Sequence, residues 1–482
     1  MIVSGDTILE AVSPELKYIG VSLRNDYGLR IERGKTYAVI GANGCGKTTL
    51  GKILQSGWNI ATNEIRGDKQ SLKIGSVEFT DIHSLAGLQS AYYQQRFEST
   101  MNDDVPTVAE VMGERMDRER FERLCAALSL HDILDKRVNY LSSGELRKFL
   151  IVNVLAEARD LLIIDNPYIG LDEASRTLFN NLLREIAARG CAVVLLLCNP
   201  DDIPDFTDVV VPMRQREVLR SVEITSAAML RDEREKCREL FPDRFALNEV
   251  LSTVPDISVD YDVAFALTKC DVRYGNRVIL HNVDWTVKAG EKWALLGENG
   301  AGKSTLLSLV CADNPQGYRN NITIFDRRRG TGESIWEIKS RIGYISPELH
   351  LYFNNGETLV DVVASGLRDT QGFFRRPDSD EATKALRWLK ALGLSEMAQR
   401  RFNALSSGEQ RLALLARTLI KGAPLLILDE PLHGLDCAAK KVVADVIACY
   451  AGRPAASLVY VTHYRNEIPE CVEHIFTLKK ER

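Results

Sequence analysis

Short apolar runs rich in β-branched side chains alternate along this chain with stretches whose apolar positions recur every three or four residues. In the first half, "TYAVIG" (Thr36 to Gly41) precedes "KTTLGKIL", and "DLLIIDN" (Asp160 to Asn166) precedes "ASRTLFNNLLREIAARG" and then "CAVVLLL". Unbroken apolar runs suit strands buried on both faces, and the longer period suits helices that cover them. The alternation predicts an α/β architecture with a largely parallel sheet. The texture changes near the middle. "AAMLRDEREKCREL" (Ala227 to Leu240) is polar and compatible with a helix, and Pro255 in "STVPDISVD" breaks whatever helix precedes it. Residues 223–262 are therefore expected to be a linker.

Comparing the chain with itself changes the picture most. "YAVIGANGCGKTTL" (Tyr37 to Leu50) matches "WALLGENGAGKSTL" (Trp293 to Leu306), and "LSSGELR" (Leu141 to Arg147) matches "LSSGEQR" (Leu405 to Arg411). "DLLIIDNPYIGLD" (Asp160 to Asp172) matches "PLLILDEPLHGLD" (Pro424 to Asp436) in the same order. The chain reads as a tandem duplication, with one domain over 1–222 and a second over 263–482. At 482 residues it is long enough for each copy to bury its own core.

Composition narrows the function classes. A net charge of -5 provides no overall basic field toward nucleic acid or an anionic membrane surface, so no nucleic-acid signature stands out. The ten cysteines are scattered, without a CxxC pair or histidines at metal-ligand spacing, which suits a reducing cytoplasm rather than a disulfide framework or zinc site. The densest apolar run, Cys191 to Cys198, is far short of a membrane span, and "MIVSGDTILE" lacks the basic and apolar parts of a leader. No intrinsic membrane segment is expected.

Both "GANGCGKT" and "GENGAGKS" fit the GxxxxGK[ST] phosphate loop, each placed after a predicted strand and before a predicted helix. In such a loop the glycines let the backbone wrap phosphates while amides and the helix N-terminus donate to them. The expected nucleotide-binding residues are Gly41, Asn43, Gly44, Gly46, Lys47, Thr48 and Thr49 in the first copy. In the second they are Gly297, Asn299, Gly300, Gly302, Lys303, Ser304 and Thr305. Lys47 and Lys303 would reach the terminal phosphates, and Thr48 and Ser304 would hold Mg2+. Asp165 and Asp429 each end an apolar run 21 residues after Gly144 and Gly408, and a buried strand delivers such an acid to the edge where phosphate loops sit.

"LSSGE" beside a phosphate loop, followed by "DEP" and "GLD", resembles the ATP-binding subunits of ABC transporters, in both copies and over nearly the whole chain. The resemblance implies two fused P-loop domains in a head-to-tail pseudo-dimer within one monomeric chain. ATP and Mg2+ would lie between one half's phosphate loop and the other half's signature. Ser142, Ser143 and Gly144 would then face the ATP on Lys303, and Ser406, Ser407 and Gly408 the ATP on Lys47. It also implies that Glu430 is the base polarising the attacking water, that His463 in "VYVTHYR" contacts the γ-phosphate, and that Tyr274 and Tyr18 stack on adenine. Each of these tyrosines stands 23 residues before the first glycine of its loop.

The departures from that pattern carry information. Asn166 stands where the first copy should have its base, and a neutral amide cannot accept a proton from water. Asn199 stands 34 residues after Asp165, where His463 follows Asp429, so the histidine is missing too. The first copy is expected to hold ATP and the second to hydrolyse it. The glutamine usual after "IGY" is replaced in the second copy by Pro347 and Glu348, with Glu348 a candidate substitute. "AYYQQR" offers Gln94 and Gln95 in the first, of which Gln95 fits the register better as a metal-side ligand.

Residues Asn314 to Ser346 resemble the ModF-type tandem ATP-binding proteins named for molybdate transport. That resemblance implies the motor of a separately encoded membrane permease for molybdate or a related anion, cytoplasmic and peripheral at the inner face of the cell membrane. Two soluble alternatives stand beside it: a regulatory or repair ATPase, and a translation factor of the ABC-F kind. The short, mixed-charge linker disfavours the last.

Overall fold

A computed structural model describes residues 7–19, 21–56, 65–67, 72–78, 106–112, 118–128, 130, 133–138, 141, 143–169, 171, 173–241, 257–275, 277–298, 300–347, 349, 356–368 and 376–479. The chain forms two compact units, one built mainly from residues up to 241 and the other mainly from residues after 257.

In the first unit the long apolar runs become a parallel sheet. Its spatial order is Ile74–Val77, Leu161–Asp165, Ala192–Leu197, Thr36–Ile40 and Val209–Arg214, every neighbouring pair parallel. Leu161 pairs with Ala192 and Thr36 with Val193, so the carboxyl ends of these strands align along one edge. Every residue of Thr36–Ile40, Leu161–Asp165 and Ala192–Leu197 is buried, which is why these runs show no polar alternation. Helix Glu173–Ala188 covers the sheet with Ser175, Phe179, Leu183 and Ala187, four positions spaced by one turn. Leu29–Glu32, Thr7–Ala11 and Ile65–Gly67 form a separate antiparallel sheet.

The second unit repeats the plan. Its parallel sheet runs Ile342–Ile345, Leu425–Asp429, Ser457–Val461, Lys292–Leu296 and His474–Thr477, the same order of corresponding segments. Beside it, Arg277–Lys288, Val263–Tyr274, Asn321–Ile324 and Arg327–Arg328 pair antiparallel. The core between the two sheets contains an aromatic cluster. Trp285 stacks on Phe476 with ring centroids 4.7 Å apart and meets Phe265 edge-on at 4.9 Å.

The stretch expected as a linker is structured in its first part. Val222–Glu223 pairs with the strand Val209–Arg214, and helix Ala227–Cys237 follows, capped by the Ser226 hydroxyl accepting from the Met229 amide at 3.2 Å. The helix buries Leu230, Glu233 and Cys237. Arg234 donates to the Ile203 carbonyl, and Arg238 pairs with Asp201 at 2.8 Å. Few apolar positions are used, so composition alone reads as a solvated connector.

Candidate nucleotide sites

Both phosphate loops leave the carboxyl end of a central parallel strand and run into a helix. In the first unit strand Thr36–Ile40 feeds the loop and helix Lys47–Ser56 closes it; in the second these are Lys292–Leu296 and Lys303–Val310. The glycines are dictated by geometry. Gly46 and Gly302, just before the lysines, have φ of 105° and 95°, a left-handed backbone that strains other residues. A Cβ on Gly41 would lie 2.4 Å from the Met213 carbonyl oxygen, and one on Gly297 would lie 2.7 Å from that of Leu478.

Each loop curls over its own lysine. Lys47 Nζ donates to the carbonyls of Gly41 at 2.7 Å and Ala42 at 3.0 Å, and Lys303 Nζ to those of Gly297 at 2.7 Å and Glu298 at 3.1 Å. Gly44 and Gly300 also take positive φ, at 78° and 77°. Asn43, Thr49 and Thr305 stand half-buried along the loops and first helical turns. Asn299 lies outside the described residues.

Hydroxyl and carboxylate meet beside the first loop: Thr48 Oγ1 donates to Asp165 Oδ2 at 2.6 Å. A pocket there is lined by Thr48, Gln55, Ser76, Glu78 and Asp165 together with the apolar Val77, Ile163 and Leu196 and with Gly51. The Thr48 hydroxyl and the Asp165 carboxylate are oxygen donors of the kind a hard cation such as Mg2+ takes. Glu78, paired with Lys52 at 3.2 Å, is an acid that the motifs did not single out. In the second unit Ser304 opens its helix as Thr48 does, and Asp429 ends the buried strand Leu425–Asp429. Gln95, Gln94 and Glu348 lie outside the described residues.

The residue after each aspartate makes the sharpest contrast between the units. Asn166 and Glu430 have the same backbone, with φ of 48° and 49°, and each amide donates to the neighbouring strand, at Leu196 and Val461 respectively. Asn tolerates this left-handed conformation; for Glu it costs about 1–2 kcal/mol. In the first unit Asn166 Nδ2 donates to Asp165 Oδ1 at 2.9 Å, and Asn199 Oδ1 caps a turn by accepting from the Asp201 amide at 3.1 Å. Both amides serve local structure.

Glu430 sits between two imidazoles. His463 Nε2 lies 2.7 Å from Oε1, and His433 Nδ1 lies 2.7 Å from Oε2, with all three side chains buried. The His433 approach is close but falls outside hydrogen-bond geometry. Burial by itself would raise the Glu430 carboxyl, but the two histidines reverse this and hold it well below the usual carboxylate range. His433 escaped the motif reading; the available signal was that the first copy has Ile169 in its place.

The remaining expected residues divide. Ser406 caps helix Ser407–Leu419 through a capping box with Glu409, so Ser407 and the buried Gly408 lie in its first turn. In the first unit Ser143 and Gly144 open helix Ser143–Leu155, while Ser142 lies outside the described residues. Tyr18 is half-buried in strand Glu15–Tyr18 and packs on the core of its unit. Tyr274 packs likewise, and its hydroxyl accepts from Asn314 Nδ2 at 3.0 Å.

Comparison with known proteins agrees with this geometry. The ABC transporter family profile matches residues 24–169 and 280–433. The ABC transporter ATP-binding protein ModF of Escherichia coli is 34% identical over 92% of this chain and 91% of its own length. An uncharacterized ABC transporter ATP-binding protein of Schizosaccharomyces pombe, C323.04, is 27% identical over 97% of this chain and 95% of its own. Among solved structures, archaeal ABCE1 in a model bound to the ribosome with Pelota superposes with a TM-score of 0.58 at 18% identity. That superposition covers 93% of this chain and 74% of the other, and it bears on fold alone.

Proposed function

Because the chain belongs to the ABC transporter family, we propose that it is a tandem ATPase in which the second phosphate loop hydrolyses ATP and the first retains it. The observation that carries this reading is the contrast between Glu430, ionised between two histidines, and Asn166, turned onto Asp165. In the second site Lys303 and the loop amides bind the β- and γ-phosphates, Glu430 takes the proton of the attacking water, and His463 Nε2 turns from Oε1 to the γ-phosphate. Thr48 with Asp165, and Ser304 with Asp429, would hold Mg2+, which supplies charge neutralisation on the phosphates. Tyr18 and Tyr274 cover the adenines.

The nucleotide content of the chain after many turnovers tests the asymmetry. With radiolabelled ATP and rapid removal of free nucleotide, the reading predicts roughly one intact ATP retained per chain. Mixed ATP and ADP exchanging equally from both sites would overturn it.

The motor of a separately encoded permease is the role we favour, supported by likeness to ModF along nearly the full length of both chains. Among the described residues no helix is long and apolar enough to cross a membrane, so a cargo such as molybdate would be selected by that partner. Glu430→Gln, expressed in the native host and trapped with ATP, should co-purify with a multi-span membrane protein. A chain that comes down without one, or with ribosomes, contradicts the transport role.

A further inference from the structure

We infer that His433 is a positioning residue for Glu430: a fixed anchor on Oε2 that holds the carboxylate in place while His463 exchanges between Oε1 and the nucleotide. This rests on the second site being hydrolytic. His433 is built to stay where it is. Its amide donates to the Glu430 carbonyl at 3.2 Å, its carbonyl accepts from the buried Arg411 guanidinium, and its ring meets the Tyr464 ring edge-on at 6.2 Å between centroids. The side chain is 6% exposed, and its Nδ1 lies 2.7 Å from the Glu430 carboxylate.

A carboxylate acting as base needs one free oxygen for water and a restraint on the other. With His463 on Oε1 and the buried His433 ring 2.7 Å from Oε2, Glu430 is held back from water until His463 leaves Oε1, and His433 then becomes the restraint that keeps the base aimed. The duplication supports the same conclusion. Where the carboxylate is replaced by Asn166, both histidine positions are replaced as well, by Ile169 and Asn199. A histidine needed only for folding would have no reason to disappear with the base.

The test compares His433→Leu, apolar as Ile169 is at this position of the first copy, with His433→Asn, whose amide nitrogen overlays Nδ1. Both are assayed for kcat, KM and equilibrium ATP binding beside Glu430→Gln. Misaiming a reacting group by about 1 Å costs up to about 10²-fold, so His433→Leu should lower kcat about 10- to 100-fold with ATP affinity within about twofold. His433→Asn should recover to within about fivefold of the parent, and in the Glu430→Gln background His433→Leu should cost nothing further. Unchanged kcat in His433→Leu, equal losses in the Leu and Asn variants, or loss of ATP binding in both would overturn the inference. If Glu430→Gln itself keeps full turnover, the hydrolytic assignment of the site fails instead, and the two failures are told apart.

Discussion

At the scale of single residues, two copies of one backbone carry different chemistry. Asn166 and Glu430 share a left-handed φ and a hydrogen bond to the next strand, so the difference between them lies in the side chain. In one unit the side chain satisfies its neighbour Asp165; in the other it forms an ionised acid between histidines. The motif residues were legible because phosphate binding constrains sequence tightly: glycines where a Cβ collides, then a lysine and a hydroxyl at fixed offsets. His433 was not legible in the same way, since one histidine three residues after an acid has many uses and only its burial against Oε2 identifies this one. Glu78, which lines the pocket beside Asp165, follows strand Ile74–Val77 in a stretch that no motif marks.

At the scale of elements, the apolar runs announced the parallel sheets because strands buried on both faces cannot hide polar residues. Helix Ala227–Cys237 was obscured by the opposite circumstance, docking with only Leu230, Glu233 and Cys237 buried in a charged sequence. Truncating a buried leucine costs about 2–5 kcal/mol when the whole fold feels it. For this peripheral helix we expect Leu230→Ala to loosen it locally, so that limited proteolysis cuts near residues 227–241 faster while nucleotide binding persists. The signature helix of the second unit makes two further predictions. Ser406→Ala removes its cap and should cost about 1 kcal/mol, read as a lower Tm. At Gly366 a Cβ would fall 2.0 Å from the Arg417 carbonyl oxygen on that helix, so Gly366→Ala should destabilise by about 2–3 kcal/mol through forced separation of the packed helices. A Gly366→Ala protein with parental stability in urea titration would show that this contact is looser than described.

At the scale of the whole molecule, duplication and fusion give each half freedom to diverge while keeping its partner at high effective concentration. The repeated strand order in the two units shows how alike the scaffolds are although the first site lacks the acid and both histidines of the second. The proposed division of labour makes one site a nucleotide-held clamp and the other the engine. Steady-state ATPase activity of Glu430→Gln against Asn166→Ala tests this most directly. Loss of a positioned base should lower turnover about 10²- to 10⁴-fold in Glu430→Gln, while Asn166→Ala stays within about threefold of the parent. Comparable losses in the two variants would contradict the division of labour.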